Sequence, residues 1–212
     1  MTDTLQAERP VSRTDEDSAK RRQIVDGARE IFLAQGFDAA SMNDIARAAG
    51  VSKGTLYVYF KDKEQLFDAI VAAECTSHAE GVFDFSVLGE DVGATLTRVG
   101  TSFVNMMVQL PKMSAVRTVI AIAERAPETG RKFYETGPAV GLAKMKAYLD
   151  SQVKAGSLKI EDTEVAAAQF IESCHATLFK PVLFNFGPPP TQERIRYCVG
   201  IAVRTFLAAY AK

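Results

Sequence analysis

The chain has little of what several protein classes require. Of its 212 residues, three are cysteine and two are histidine. Cys75, Cys174 and Cys198 have no CxxC spacing, and each is embedded in a helical pattern. The plain reading is three small buried residues in a reduced, cytoplasmic protein. Redox sensing is the alternative such thiols leave open. With only His78 and His175 to join them, no metal site is expected. No apolar run is long enough to cross a bilayer. The opening MTDTLQAERPVSRTDED has no apolar centre for a secretory signal. Catalytic signatures are missing too. SKGT lacks the earlier glycine of a P-loop, and no HExxH, GxSxG or dinucleotide glycine fingerprint occurs. Neither an enzyme nor a cofactor is expected.

Net charge is −1, so the chain is not a basic polymer binder as a whole. The charge is patterned, however. Lys20, Arg21 and Arg22 open one helix, and Arg47, Lys53, Lys61 and Lys63 cluster further on, while Asp15, Glu16 and Asp17 dilute the total. A local patch of this kind predicts moderate salt dependence in any nucleic-acid contact. At this length no covalent staple is needed, because such a chain buries about 70% of its unfolded surface.

What is present centres on Ser41 to Phe60, SMNDIARAAGVSKGTLYVYF. Two short helices joined by a glycine turn have the layout of a helix-turn-helix. Ser41 is an N-cap with Asp44 three residues on, close to a capping box. Ile45 and Ala49 repeat at i, i+4, and Gly50 follows where a left-handed residue is usually needed. Ala46 is small enough for two helices to cross closely, and Val51 fills the corner. Ser52 caps the second helix and leaves its free N–H groups facing a possible phosphate. Leu56 and Phe60 form that helix's inward stripe, which leaves Lys53, Thr55, Tyr57 and Tyr59 toward solvent. Asp62 with Gln65 caps the next helix. Upstream, Ile24, Ala28, Ile31 and Phe32 stripe a helix over about Ser18 to Gln35, closed by Gly36. Asn43 is placed to hydrogen-bond a base edge; Arg47 and Lys63 read as phosphate contacts or as solvated surface charges. Val58 is suited to an apolar contact with a thymine methyl.

These residues carry a resemblance. Lys20 to Phe67, with AQGFDAAS and then IARAAGVSKGTLYVYFKDKEQLF, resembles the DNA-binding domain of the TetR family of bacterial transcription regulators. RTVIAIAERAPETGRKFYETGP and AYLDSQVKAGSLKIEDTEVAAAQF are similar to the ligand-binding halves of some members. The resemblance implies that Lys53, Gly54, Thr55, Tyr57 and Tyr59 touch phosphates and bases, Gly54 by letting the helix approach the duplex. With Ser41, Asn43, Arg47, Ser52 and Lys63 they make up the expected DNA-contacting set. It further implies a homodimer on a palindromic operator, repression as the usual mode, and release by a small hydrophobic effector.

The remaining pattern is helical, so the expected fold is all-α. It divides into an arm over 1–17, a three-helix helix-turn-helix domain over 18–66, and a larger ligand-binding and dimerisation bundle over 67–212. Arg9 and Arg13 of the arm suit a minor groove, or the arm is inert. After a helix from about Glu64 to Val82, further helices are expected over 91–110, 112–125, 127–155, 162–185 and 191–211. Gly137-Pro138 and Pro181 are breaks or kinks within them. The helix from Lys63 to Val82 would join the two parts and serve as a switching lever. Phe103, Met106, Met107 and Leu110 line one helix at i, i+3, i+4, i+7, Ile120 belongs to the next stripe, and Cys174 and Leu178 to a later one. These are core, or the wall of an adaptable apolar pocket. Arg117 and Glu124, seven apart, would fix a polar ligand group or pair with each other. His175 reads as a packed histidine or a ligand contact. The broad apolar faces of the last two helices, including Ala166, Ala167, Phe170, Ile171, Ile195, Val199, Ile201, Ala202, Phe206 and Leu207, predict a four-helix dimer bundle. The rival reading is a helical small-molecule carrier or enzyme whose DNA motif is vestigial.

Overall fold

A computed structural model describes residues 13–85 and 91–212, without the side chains of residues 13–15, 74–80 and 110–112. Its helices are α1 (Arg13–Gln35), α2 (Met42–Ala48), α3 (Lys53–Tyr59), α4 (Lys63–Val82), α5 (Val92–Met107), α6 (Leu110–Ile122), α7 (Pro127–Thr136), α8 (Pro138–Ala155), α9 (Thr163–Cys174), α10 (Phe179–Leu183) and α11 (Gln192–Tyr210). No strand longer than an isolated bridge between Leu158 and Ala211 occurs among the described residues, so the protein is all-α. The chain divides into two compact units at Ile70/Val71, within α4. α1 begins at Arg13, five residues before the expected start, and takes in Asp15, Glu16 and Asp17 of the expected arm. Arg9 and the side chain of Arg13 lie outside the described residues.

The first unit is held by a stripe from each helix. Ile24, Ala28 and Phe32 of α1 are buried with Ile45, Ala46, Leu56, Leu66 and Phe67. Phe32, Phe37 and Phe67 pack ring against ring at centroid distances of 5.2 to 5.7 Å. Gly36 (φ +78°) and Gly50 (φ +61°) close α1 and turn α2 into α3, a backbone region that a Cβ disfavours. The close helix crossing falls at Gly27, where an added Cβ would lie 2.6 Å from the Ala49 backbone nitrogen.

The second unit buries Leu96, Val99, Met145, Leu149, Phe170, Ile195 and Val199 in one core. α5, α9 and α11 meet at Gly100, whose absent Cβ would stand 2.9 Å from the Cys174 sulfur and 3.0 Å from Val199 Cγ1. Several expected boundaries shift. The segment 127–155 breaks at Gly137, as the Gly-Pro pair predicts. The helix expected over 162–185 stops at Cys174 and resumes at Phe179. Pro181 is the reason: it has no N–H to donate and its ring excludes the carbonyl four residues back, so it is accommodated in the first turn of a new helix. α5 ends at Met107, so Leu110 opens α6 instead of extending the α5 stripe, and its side chain lies outside the described residues.

The dimer face also needs correction. Ala166, Ala167, Phe170, Ile195, Val199, Ala202 and Phe206 are in the protomer's own core, and Ile171 and Leu207 pack against it. The large apolar side chains that α9 and α11 leave exposed are Val165, Tyr197 and Ile201. The periodicity found the apolar faces, but α5 and α8 already cover them.

Candidate nucleic-acid interface

Three local hydrogen-bond patterns build the motif. Ser41 Oγ accepts from the Asp44 N–H (3.2 Å) and donates to the Asp44 carboxylate (2.6 Å). Ser52 Oγ accepts from the Thr55 N–H at 3.0 Å and lies 2.8 Å from the Thr55 hydroxyl. Asp62 accepts from the Gln65 N–H while Gln65 accepts from the Lys61 N–H, one residue before the cap, a variant of the capping box at the start of α4. Ser41 is thus a cap whose hydroxyl proton is engaged, and Thr55's hydroxyl is engaged with the Ser52 cap.

Contacts from α1 fix the turn. Gln23 Nε2 donates to the Ala49 carbonyl at 2.6 Å, satisfying an acceptor at the end of α2. The Tyr59 hydroxyl donates to Asp17 Oδ1 at 2.6 Å, and this bond raises the phenol's pKa above its ordinary value. The Arg21 guanidinium lies 5.0 Å from the Phe60 ring centroid. Neither Gln23 nor Asp17 was picked out from the sequence. The available signal was that α1 carries polar residues one turn from a buried stripe, at the crossing set by Gly27.

The expected DNA-contacting residues separate accordingly. Asn43, Arg47, Ser52, Lys53, Gly54 and Tyr57 are exposed on α2, α3 and the turn between them. Arg47 forms an ion pair with Asp44 but remains 79% exposed at its side chain, so a phosphate can recruit it. The Lys53 ammonium is 6.0 Å from the Tyr57 ring centroid. Tyr59 is half-buried, with its hydroxyl held by Asp17.

Lys63 departs furthest from expectation. Its ammonium donates to the carbonyls of Phe37 (2.9 Å), Asp38 (3.0 Å) and Ala40 (3.4 Å) and sits 4.8 Å from the Phe37 ring centroid. All three N–H groups are occupied in closing the α1–α2 loop, so a phosphate would have to displace them. Lys63→Ala should therefore destabilise the N-terminal unit by about 2–3 kcal/mol, the scale of a charged hydrogen-bond set. The salt slope of DNA binding should be unchanged. A wild-type melting curve combined with a slope reduced by about one would restore the phosphate role.

In the second unit the expected ligand set divides too. Phe103 lies with its ring centroid 5.8 Å from Phe83 and 5.7 Å from His175, and His175 lies 5.3 Å from Phe179. Cys174, His175 and Leu178 are buried beside this cluster, and Phe103 and Met106 pack against the core. Burial pushes the Cys174 thiol up to about 12, which makes it a poor nucleophile and a poor redox sensor. Met107 is half-buried. Three residues stand apart from this cluster. Arg117 donates to the carbonyls of Leu183 (2.7 Å) and Val182 (2.5 Å) and to Asn185 (3.1 Å), closing the C-terminal end of α10. Ile120 is 60% exposed. Glu124 is exposed and lies beyond the end of α6, so it does not share a helix face with Arg117. A separate open groove on α9 and α11 is lined by Ile160, Asp162, Thr163, Val165, Gln169 and Tyr210, none of them in the expected set. No cluster of three metal-ligating side chains occurs among the described residues, and no described helix is long and apolar enough to cross a membrane.

Known proteins match both halves. Residues 24–70 match the bacterial regulatory proteins of the TetR family, and residues 94–212 match the C-terminal domain of AefR-like transcriptional repressors. The HTH-type transcriptional repressor Rv1474c of Mycobacterium tuberculosis is 43% identical over 53 residues, 25% of this chain and 28% of that protein. The match thus spans little more than a quarter of that curated relative. Among solved structures, a TetR-family transcriptional regulator from Mesorhizobium loti MAFF303099 superposes with a TM-score of 0.86 at 25% identity, covering 95% of this chain and 100% of that one. The flavonoid-responsive regulator FrrA superposes with a TM-score of 0.78 at 30% identity, covering 92% and 98%. Capped motif, helical second unit and matches along nearly the whole length agree: the chain belongs to the TetR family of bacterial regulatory proteins.

Proposed function

We infer that this protein is a transcriptional repressor that binds a palindromic operator as a homodimer and is released by a small hydrophobic effector. The observation that carries this reading is α3, a capped seven-residue helix anchored by Leu56 and presenting Lys53, Gly54 and Tyr57 outward. Its length and capping suit insertion in a major groove. The exposed Val165, Tyr197 and Ile201 on α9 and α11 support a dimer through those helices. The aromatic cluster of Phe83, Phe103, His175 and Phe179 supports an aromatic or otherwise apolar effector, and FrrA, of the same fold, is a flavonoid-responsive regulator. The rival carrier or enzyme reading has no comparable support, since the motif's caps are complete instead of eroded.

The test is selection of the full-length protein on random duplex DNA, with sedimentation of the selected complex. A palindrome with half-sites about 34–36 Å apart, or a multiple, and two protomers per duplex are expected. Tyr57→Ala should weaken that complex by about 1–3 kcal/mol; coincident titration curves would remove Tyr57 from the interface. An effector should bind the DNA-free dimer more tightly than the operator complex, by the same factor by which it weakens DNA binding, about 5- to 150-fold.

A further inference from the structure

The outward centre of α3, at Gly54 and Val58, has no side-chain hydrogen-bonding group. Val58 lies two residues after buried Leu56, on the opposite side of the helix, and is 81% exposed. Gly54 lies one turn earlier on the same face, and a Cβ added there would meet nothing nearer than Ser52 Oγ at 3.7 Å. Beside exposed Lys53 and Tyr57, the side of the helix opposite Leu56 therefore carries bare backbone at Gly54 and one isopropyl group at Val58. The flanking hydroxyls are engaged elsewhere, Thr55 with Ser52 and Tyr59 with Asp17. Neither Gly54 nor Val58 can donate or accept a side-chain hydrogen bond, so neither can distinguish guanine, adenine or cytosine by their polar edges. The major groove of unmodified DNA offers one apolar group, the C5-methyl of thymine.

We propose that Val58 reads a thymine methyl in each operator half-site, with Gly54 setting the depth at which α3 seats. The proposal rests on the operator-binding reading above and adds the base that the helix selects. A valine suits the task physically: β-branching holds it near one rotamer on a helix, so it presents its methyl groups with little entropy to lose. Contact with the thymine methyl removes apolar surface of both partners from water.

The experiment is a uracil scan. The duplex selected by the full-length protein is resynthesised with each dT replaced in turn by dU, which removes the methyl and keeps the pairing. One position per half-site should show about fourfold weaker binding, the worth of one buried methyl group, and about 15-fold when both half-sites are changed. Val58→Ala should bind the thymine duplex more weakly, and its ratio of thymine to uracil affinity should fall toward one. Its exposed site leaves the fold intact, and the scan on wild-type protein needs no variant at all. The proposal is overturned if every uracil substitution leaves wild-type affinity within about 1.5-fold, or if Val58→Ala retains the full uracil penalty at the same position. A selection that enriches no sequence would sink the operator reading and this proposal with it; an enriched palindrome without a uracil effect sinks this proposal alone.

Discussion

Gly27→Ala is expected to weaken operator binding by at least tenfold while leaving the second unit intact. The added methyl would lie 2.6 Å from Ala49 N, 2.7 Å from its Cα and 2.8 Å from its Cβ. Two of these are backbone atoms and cannot rotate away. The Ala49 N–H is itself bonded to the Ile45 carbonyl at 2.8 Å, so α2 must shift as a body. Alanine gains about 1 kcal/mol over glycine in helix propensity, but overpacking against backbone costs about 1–3 kcal/mol or more. The clash wins, and the shift also breaks the Gln23 bond to Ala49 that holds the turn before α3. Gly81→Ala is the control: it is also a helical glycine, in α4, yet nothing stands within 4 Å of its added Cβ. That change should be neutral or stabilising by up to about 1 kcal/mol. Thermal melting and operator titration should show a loss for Gly27→Ala and none for Gly81→Ala; matching behaviour would mean the α1–α2 crossing has more room than the geometry allows.

Phe170→Ala should cost about 3–5 kcal/mol of stability in the second unit. Its ring is 2% exposed and meets Phe206 edge to face at 5.4 Å and 74°. It also lies 3.5 Å from where a Cβ on Gly100 would be, so it fills the seam where α5, α9 and α11 meet. A void there is bounded by three helices already in contact, which leaves little scope for collapse. Ile201→Ala, at a site 41% exposed on α11, should cost under about 1 kcal/mol within the protomer and appear instead as weaker dimerisation. Urea unfolding and sedimentation equilibrium separate these effects. A Phe170 variant as stable as wild type would overturn the assignment of this seam as the unit's structural centre.

How much was legible in the sequence depended on the range of the interaction. The caps at Ser41, Ser52 and Asp62, the glycine closures at Gly36 and Gly50, the long α4 and the all-helical fold were readable because each depends on neighbours a few residues away. Amphipathic stripes were readable for the same reason, since helical periodicity is local. Partners were not. The apolar faces of α9 and α11 are legible, but not that most of their side chains are buried within the protomer, because periodicity says that a face is buried and not what buries it. The placement of Gly27 does carry a sequence signal: it is a glycine beside Ala28 and three residues after Ile24, on the buried side of α1.

The sequence by itself determined the helices, the motif and which side chains are apolar. The tertiary structure alone decided which polar groups are free to act. Lys63 reaches carbonyls 23 to 26 residues away, Tyr59 a carboxylate 42 residues away and Arg117 carbonyls 65 and 66 residues away. A charged or hydroxyl side chain has the same composition whether it faces a phosphate or caps a helix. Only the packing of distant segments brings the competing acceptor within 3 Å, and a donor so satisfied must break that bond before it can serve another.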